Sequence, residues 1–128
     1  MSPASRPDPA ADADRRRRRA ASQEVLDRLA EPYRGHPAAA RSRMFGSEAL
    51  TVHGKVVAFV DGEGGLVVKL PAARAAELVA AGVGEPIRVG RSPAKEWGGV
   101  PRPADGADPH PWAALLDESF DYVEALAR

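Results

Sequence analysis

Residues 43–82 read RMFGSEALTVHGKVVAFVDGEGGLVVKLPAARAAELVAAG, and the order of elements in this run sets the architecture. Three β-type segments are separated by two Gly-centred turns, and a Pro-initiated helix follows. Met44 to Val52 reads as the first strand, with Phe45, Leu50 and Val52 pointing inward; Gly46 interrupts the alternation and marks a bulge. His53-Gly54 is a tight turn in which Gly supplies a positive φ. Lys55 to Asp61 is the second strand. Its unbroken apolar run, Val56 to Val60, implies that both of its faces are largely covered. Gly62 to Gly65 is a flexible turn and Leu66 to Leu70 the third strand. Pro71 suits the first turn of a helix, where its missing N–H costs nothing. Ala72 to Ala81 are good helix formers, and Gly82 stops them.

Outward from this run the chain remains one domain's worth. It has 128 residues, enough to bury one core. Upstream, Met1 to Asp14 lacks periodic hydrophobics and is expected to be disordered. Together with the pure basic run Arg15 to Arg19 it makes a disordered basic arm over residues 1–20, with the folded domain at 21–128. Ser22 reads as a helix cap, and Val25, Leu26, Leu29 and Tyr33 form one apolar stripe that Pro32 ends; an alternative start lies within the arginines. Arg34 to Ala40 reads as a loop. Downstream, Pro86 to Gly90 and Lys95 to Val100 are short strands. Asp108 caps a last helix whose residues Trp112, Leu115, Leu116, Ser119, Phe120, Val123 and Leu126 follow helical spacing, with Asp117, Asp121 and Glu124 opposite. The expected fold is α+β: a two-layer antiparallel sheet with helices, in the order αβββαββα.

Composition bounds what this domain can do. Hydrophobic residues make up 44%, but the aromatics are only three Phe, two Tyr and two Trp, so the core is aliphatic and thin. The sequence has no Cys, which removes disulfides, thiolate zinc sites and Cys nucleophiles. No apolar run approaches the ~20 residues that span a bilayer, and no apolar segment follows the N-terminal arginines as a secretory signal requires. The cytoplasm is the expected compartment, with no membrane partner. Charge is divided: residues 1–43 carry a net +4 and residues 44–128 a net −4. A basic arm on an acidic domain can reach nucleic acid, an acidic partner or the domain itself.

The pieces Arg43-Met44-Phe45-Gly46, His53-Gly54-Lys55-Val56-Val57-Ala58, Leu66-Val67-Val68-Lys69-Leu70-Pro71 and Lys95-Glu96-Trp97, in this order and spacing, carry a resemblance. From about Ser22 to Ala127 the chain resembles the TfoX N-terminal domain family, the Sxy-like competence regulators and their stand-alone relatives. Ser47 stands where the family often has a second Gly. The resemblance implies a fold similar to secretion-chaperone-like domains and a role akin to co-regulation of transcription.

No catalytic constellation is legible. His36, His53 and His110 sit in turns or beside prolines, without the HxxxH or convergent carboxylates that zinc needs. Gly62 to Gly65 lies between strands, not before a helix as a phosphate loop does. The serines lack a nucleophile elbow, and Asp117 with Asp121 share an exposed helical face. The expectation is a non-enzymatic binding module with no cofactor or metal. Its partner is another protein, reached through Arg43, Phe45, Lys95 and Trp97. Arg43 and Phe45 share strand parity, as do Lys95 and Trp97, and Arg43 beside Lys95 would form a basic spot. A homodimer is a further reading. So is a weak, nonspecific nucleic-acid contact through Arg15, Arg16, Arg17, Arg18 and Arg19; no recognition helix, zinc finger or aromatic stacking platform accompanies these arginines. A third alternative is a small-ligand binder or enzyme with a pocket between sheet and helices.

Overall fold

The computed structural model describes residues 8–89, 92–102 and 108–127. The elements are α1 (Pro9–Ala30), a 3-10 turn (Glu31–Gly35), β1 (Ala39–Met44), β2 (Ser47–Val52), β3 (Lys55–Val60), β4 (Leu66–Lys69), α2 (Ala72–Ala80), β5 (Glu85–Val89), β6 (Ser92–Val100) and α3 (His110–Ala127). The six strands form one antiparallel sheet in the order β1-β2-β3-β4-β6-β5. The fold is the expected two-layer α+β arrangement with one strand more than the sequence reading gave. Met44 to Val52 is not a single strand: β1 ends at Met44, and a two-residue turn, Phe45-Gly46, returns the chain into β2. Gly46 is therefore a turn residue at φ 72°, not a bulge.

The N-terminal arm also differs from expectation. Residues Pro9 to Ala20, assigned to the disordered arm, are the first half of α1; Met1 to Pro7 lie outside the described residues. The cap is Asp8, not Ser22: the Asp8 carboxylate accepts from Ala10 N at 3.0 Å, and Pro9 occupies the first helical position. Repulsion along the arginine run is relieved by acids one turn away and across the fold. Arg15 pairs with Asp12 at 3.1 Å and with Glu63 at 3.1 Å, Arg17 pairs with Asp14, and Arg18 approaches Glu63 at 3.6 Å. Ser22 is buried in mid-helix, where α1 crosses the β3–β4 turn. The crossing demands Gly64: it has φ 87°, and a β-carbon there would lie 3.2 Å from the Arg18 carbonyl oxygen and from Ser22 Oγ. That turn is organised rather than flexible, because Asp61 Oδ1 accepts from both Glu63 N and Gly65 N at 2.9 Å.

One irregularity in β3 shapes both faces of the sheet. Leu50 pairs with Ala58, but Thr51 pairs with Val56, so Val57 is an extra residue in β3. The bulge turns both Val57 and Ala58 toward the helices, where each is fully buried. The inward set also contains Leu50, Val52, Val60, Leu66, Val68, Leu70 and Val100, closed over by Leu26 of α1, Leu78 of α2 and the α3 stripe. A bulged residue loses its place in the ladder, and the Val57 carbonyl instead accepts from the buried Ser119 hydroxyl at 3.0 Å. The α3 stripe runs Trp112, Leu115, Leu116, Ser119, Phe120 and Val123; Leu126, assigned to it from sequence, is 58% exposed. Trp112 Nε1 donates to the Pro101 carbonyl at 3.2 Å, which satisfies its polar edge in the core. Phe120 stacks on Tyr33 with ring centroids 4.5 Å apart and fixes α3 to the 3-10 turn.

Two outcomes test this packing by chemical denaturation. Phe120→Ala, at 4% exposure, is expected to cost about 3–5 kcal/mol; a loss under ~1 kcal/mol would place the stripe against solvent. Ser119→Ala leaves the bulged Val57 carbonyl without its donor and is expected to cost roughly 1–3 kcal/mol. No loss there would show that the carbonyl has another partner.

Candidate functional site

Inward alternation after the bulge places Val60 with the core and Phe59 on the opposite, outer face of the sheet. Its cross-strand partner is Val67, and Val67 in turn pairs with Gly99. Among the described residues, the helix side chains that close the core, Leu26, Leu78 and the α3 stripe, pack with the inward set and not with Phe59. Phe45 reaches it from the β1–β2 turn, and Trp97 from β6. The Phe45 and Phe59 rings are 5.1 Å apart, and Trp97 meets Phe59 edge-on at 6.1 Å. Phe45 and Trp97, singled out from sequence, are thus joined through Phe59, which the sequence reading had counted in a covered apolar run. The three aromatics form one row across β2 to β6.

Phe45 is the unusual member. It is 75% exposed and holds φ at 52°; from sequence it was expected to point inward. Left-handed backbone costs a non-glycine residue about 1–2 kcal/mol. Such a turn favours Asn-Gly or Asp-Gly, and here an aromatic residue occupies its first position. The inward reading fails because Phe45 is not in a strand and so has no strand parity. The conformation is held from α1: the Arg19 guanidinium donates to the Phe45 carbonyl, and a β-carbon at Gly46, itself at φ 72°, would lie 2.8 Å from Arg19 Nη2 and displace that side chain's end. Arg19 is therefore a structural residue of this turn.

Trp97 sits where β6 departs from its partner. Pro86 pairs with Gly98 and Arg88 with Pro93, so Ile87 alone faces the four residues Ala94 to Trp97. The splayed segment opens a cavity of about 250 Å3 against α2, lined by Ala72, Ala76, Val79, Ile87, Lys95 and Trp97 among others. A second hollow of about 370 Å3 lies at the same end of the sheet, between Lys55, Val56, Lys69, Trp97 and the exposed end of α3 at Val123 and Leu126. Trp97 walls both. Lys69, its cross-strand partner, holds Nζ 5.1 Å from the ring centroid, a cation–π contact. Lys55, Lys69 and Lys95 are all the lysines in the sequence. All three line these two hollows.

The neighbouring acid is committed elsewhere. Glu96 points to the other side of β6 and accepts from the Tyr122 hydroxyl at 2.5 Å. That hydrogen bond is the main cause of an upward shift of the Tyr122 phenol, with partial burial and the Glu96 charge adding to it.

Arg43 does not join Lys95. Arg43 lies on edge strand β1 and faces Glu48 at 3.4 Å. Three strands separate β1 from β6, so the two cations stand roughly 19 Å apart at ~4.8 Å per strand. The basic spot expected from sequence is replaced by the lysines around Trp97. Of the histidines and carboxylates weighed for catalysis, His36 and Asp117 have structural partners. His36 Nδ1 accepts from Ala38 N at 3.1 Å, which leaves Nε2 to donate to Glu124 at 2.6 Å; Asp117 accepts from Tyr33. Among the described residues no three His, Asp or Glu side chains converge in a metal-binding arrangement, and no helix is long and apolar enough to cross a membrane. No family model, curated protein or solved structure matches this chain.

Two outcomes check the geometry. Phe45→Asn relieves the left-handed strain while Phe45→Ala keeps it, and both lose the ring contact. The Asn variant should be the more stable of the pair by about 1 kcal/mol in urea denaturation; equal stabilities would contradict the turn. Glu96→Gln should bring the Tyr122 phenol back toward the usual tyrosine value in an absorbance titration. Because the folded-state value is raised, the associated stability is present below the ordinary tyrosine range and is lost as pH rises through the raised value. Glu96→Gln should therefore blunt that alkaline loss, and an unchanged profile would show that the hydrogen bond does not form.

Proposed function

We propose that the protein is a small non-catalytic binding module that docks another protein on the outer face of its sheet. The single observation that carries this reading is Phe45, a solvent-exposed aromatic residue held in strained backbone at the head of an aromatic row. Strain at an exposed site is retained where the surroundings enforce it, and such sites cluster at binding surfaces. Aromatic anchors on an otherwise uncovered face are the usual energetic centre of a protein interface. Of the residues weighed for chemistry, His36 and Asp117 are engaged within the fold, which favours binding over catalysis. The resemblance to the TfoX N-terminal domain family points the same way, toward a co-regulator of transcription that works through protein contacts in the cytoplasm.

The nucleic-acid reading has less to draw on. Arg15, Arg17, Arg18 and Arg19 are engaged by Asp12, Asp14, Glu63 and the Phe45 carbonyl, which lowers the charge they can offer to phosphates.

The test is capture from native lysate by the full-length chain in parallel with Phe45→Asn, with nuclease treatment and at high salt. A protein retained by the wild type through both treatments and lost by the variant supports the reading. A partner retained equally by both chains, or nucleic acid that disappears at high salt, would overturn it.

A further inference from the structure

The cavity between α2 and the splayed β5–β6 segment has a shape and charge that specify more than a generic docking face. Resting on the reading of the outer face as a protein-docking surface, we propose that this cavity takes a bulky apolar side chain from an acidic peptide segment of the partner, with Lys69, Lys95 and Lys55 receiving the flanking carboxylates.

The anchor follows from the lining. Ala72, Ala76, Val79, Ile87 and the Trp97 ring present hydrocarbon, and Lys95 supplies the only charge among the described residues. The volume of about 250 Å3 exceeds the roughly 150 Å3 that admits a benzene ring, so one Leu, Met or Phe side chain fits. The space exists because α2 presents alanines where a larger residue would fill it, and because four β6 residues bow out against one of β5. The flanks follow from the lysines. None of the three makes an ion pair among the described residues, and Lys69 rests on Trp97 instead. The one carboxylate adjacent in sequence, Glu96, is held on the other side of the strand by Tyr122. The sequence has fifteen arginines, and Arg15, Arg34, Arg41, Arg43 and Arg74 bind acids of their own fold.

Charge also separates this occupant from the alternatives. A second copy packed symmetrically on this surface would bring its own lysines against these. A single-stranded nucleic acid needs open aromatic faces, yet Phe59 is packed between Phe45 and Trp97, and Trp97 carries Lys69. A segment of chain also suits two hollows that meet at Trp97 better than a compact ligand does: the anchor occupies one while the flank crosses the ring to Lys55 and Lys69 in the other.

The experiment pans a randomised peptide display library on the full chain, on Ala76→Trp, and on the double variant Lys69→Glu with Lys95→Glu, followed by fluorescence anisotropy with the enriched peptide and with oligo-dT. Ala76 is exposed on α2, so the Trp fills the cavity from its rim. The expected result is enrichment of an apolar residue flanked by Asp or Glu. Ala76→Trp should abolish it, and the double variant should weaken the selected peptide by about tenfold or more and switch the selected flanks to Lys or Arg. Enrichment indifferent to charge reversal, an anchor still selected by Ala76→Trp, or tighter binding of oligo-dT than of any peptide would each overturn the proposal. If the lysate partner still depends on Phe45 while the library result fails, the docking reading stands and this pocket assignment falls; loss of both removes both.

Discussion

The one extra residue in β3 is the constraint on which the two faces of this molecule depend. Without it, strict alternation would send Val57 outward with Phe59. With it, Val57 and Ala58 both enter the helix-facing core and the alternation resumes with Phe59 outside. The irregularity is held in place by chemistry from the opposite layer, since Ser119 donates to the carbonyl that the ladder abandons. A polar residue in the middle of the apolar α3 stripe is thereby explained: its hydroxyl meets a backbone acceptor that a regular sheet would not offer.

The outer face is built from parts far apart in the chain. A left-handed Phe45 comes from a two-residue turn and Trp97 sits at a mismatch of one residue against four, while Phe59 lies on the outer face two residues past the bulged Val57. The helical face, by contrast, is conventional packing, in which Leu26, Leu78, Trp112 and Phe120 close over aliphatic strand residues. The division explains how so thin a core stays closed on one side while several of the few aromatics are spent on the other.

Much of this was legible in the sequence, and what was not has definable causes. The His53-Gly54 turn, the Pro71 to Gly82 helix and the α3 stripe apart from Leu126 are local patterns of turn chemistry and periodicity, and they stand as read. β1 was missed because Ala39 to Arg43 has no apolar alternation: it is an edge strand whose side chains are mostly exposed. The helical arginine run was missed because its compensation comes partly from Glu63, 45 or more residues away in sequence. At the site, Phe45 and Trp97 were visible as unusual residues, but Phe59 was hidden in a run that a bulge divides between two faces. An apolar run of five in an otherwise alternating meander is itself a sign that one residue is extra, and that sign was available. The lysines became a group only through pairing: Lys69 opposite Trp97 is a register fact, not a spacing fact.

The most direct test of this account is a proton–proton Overhauser experiment on the isotope-labelled protein. It should show the Phe59 ring in contact with both Phe45 and Trp97, and the Val57 methyls in contact with the core residues under α3. If instead the Val57 methyls lie on the same side of the sheet as Phe59, β3 has no bulge; if Phe59 contacts neither Phe45 nor Trp97, the aromatic row and the docking face built on it do not exist.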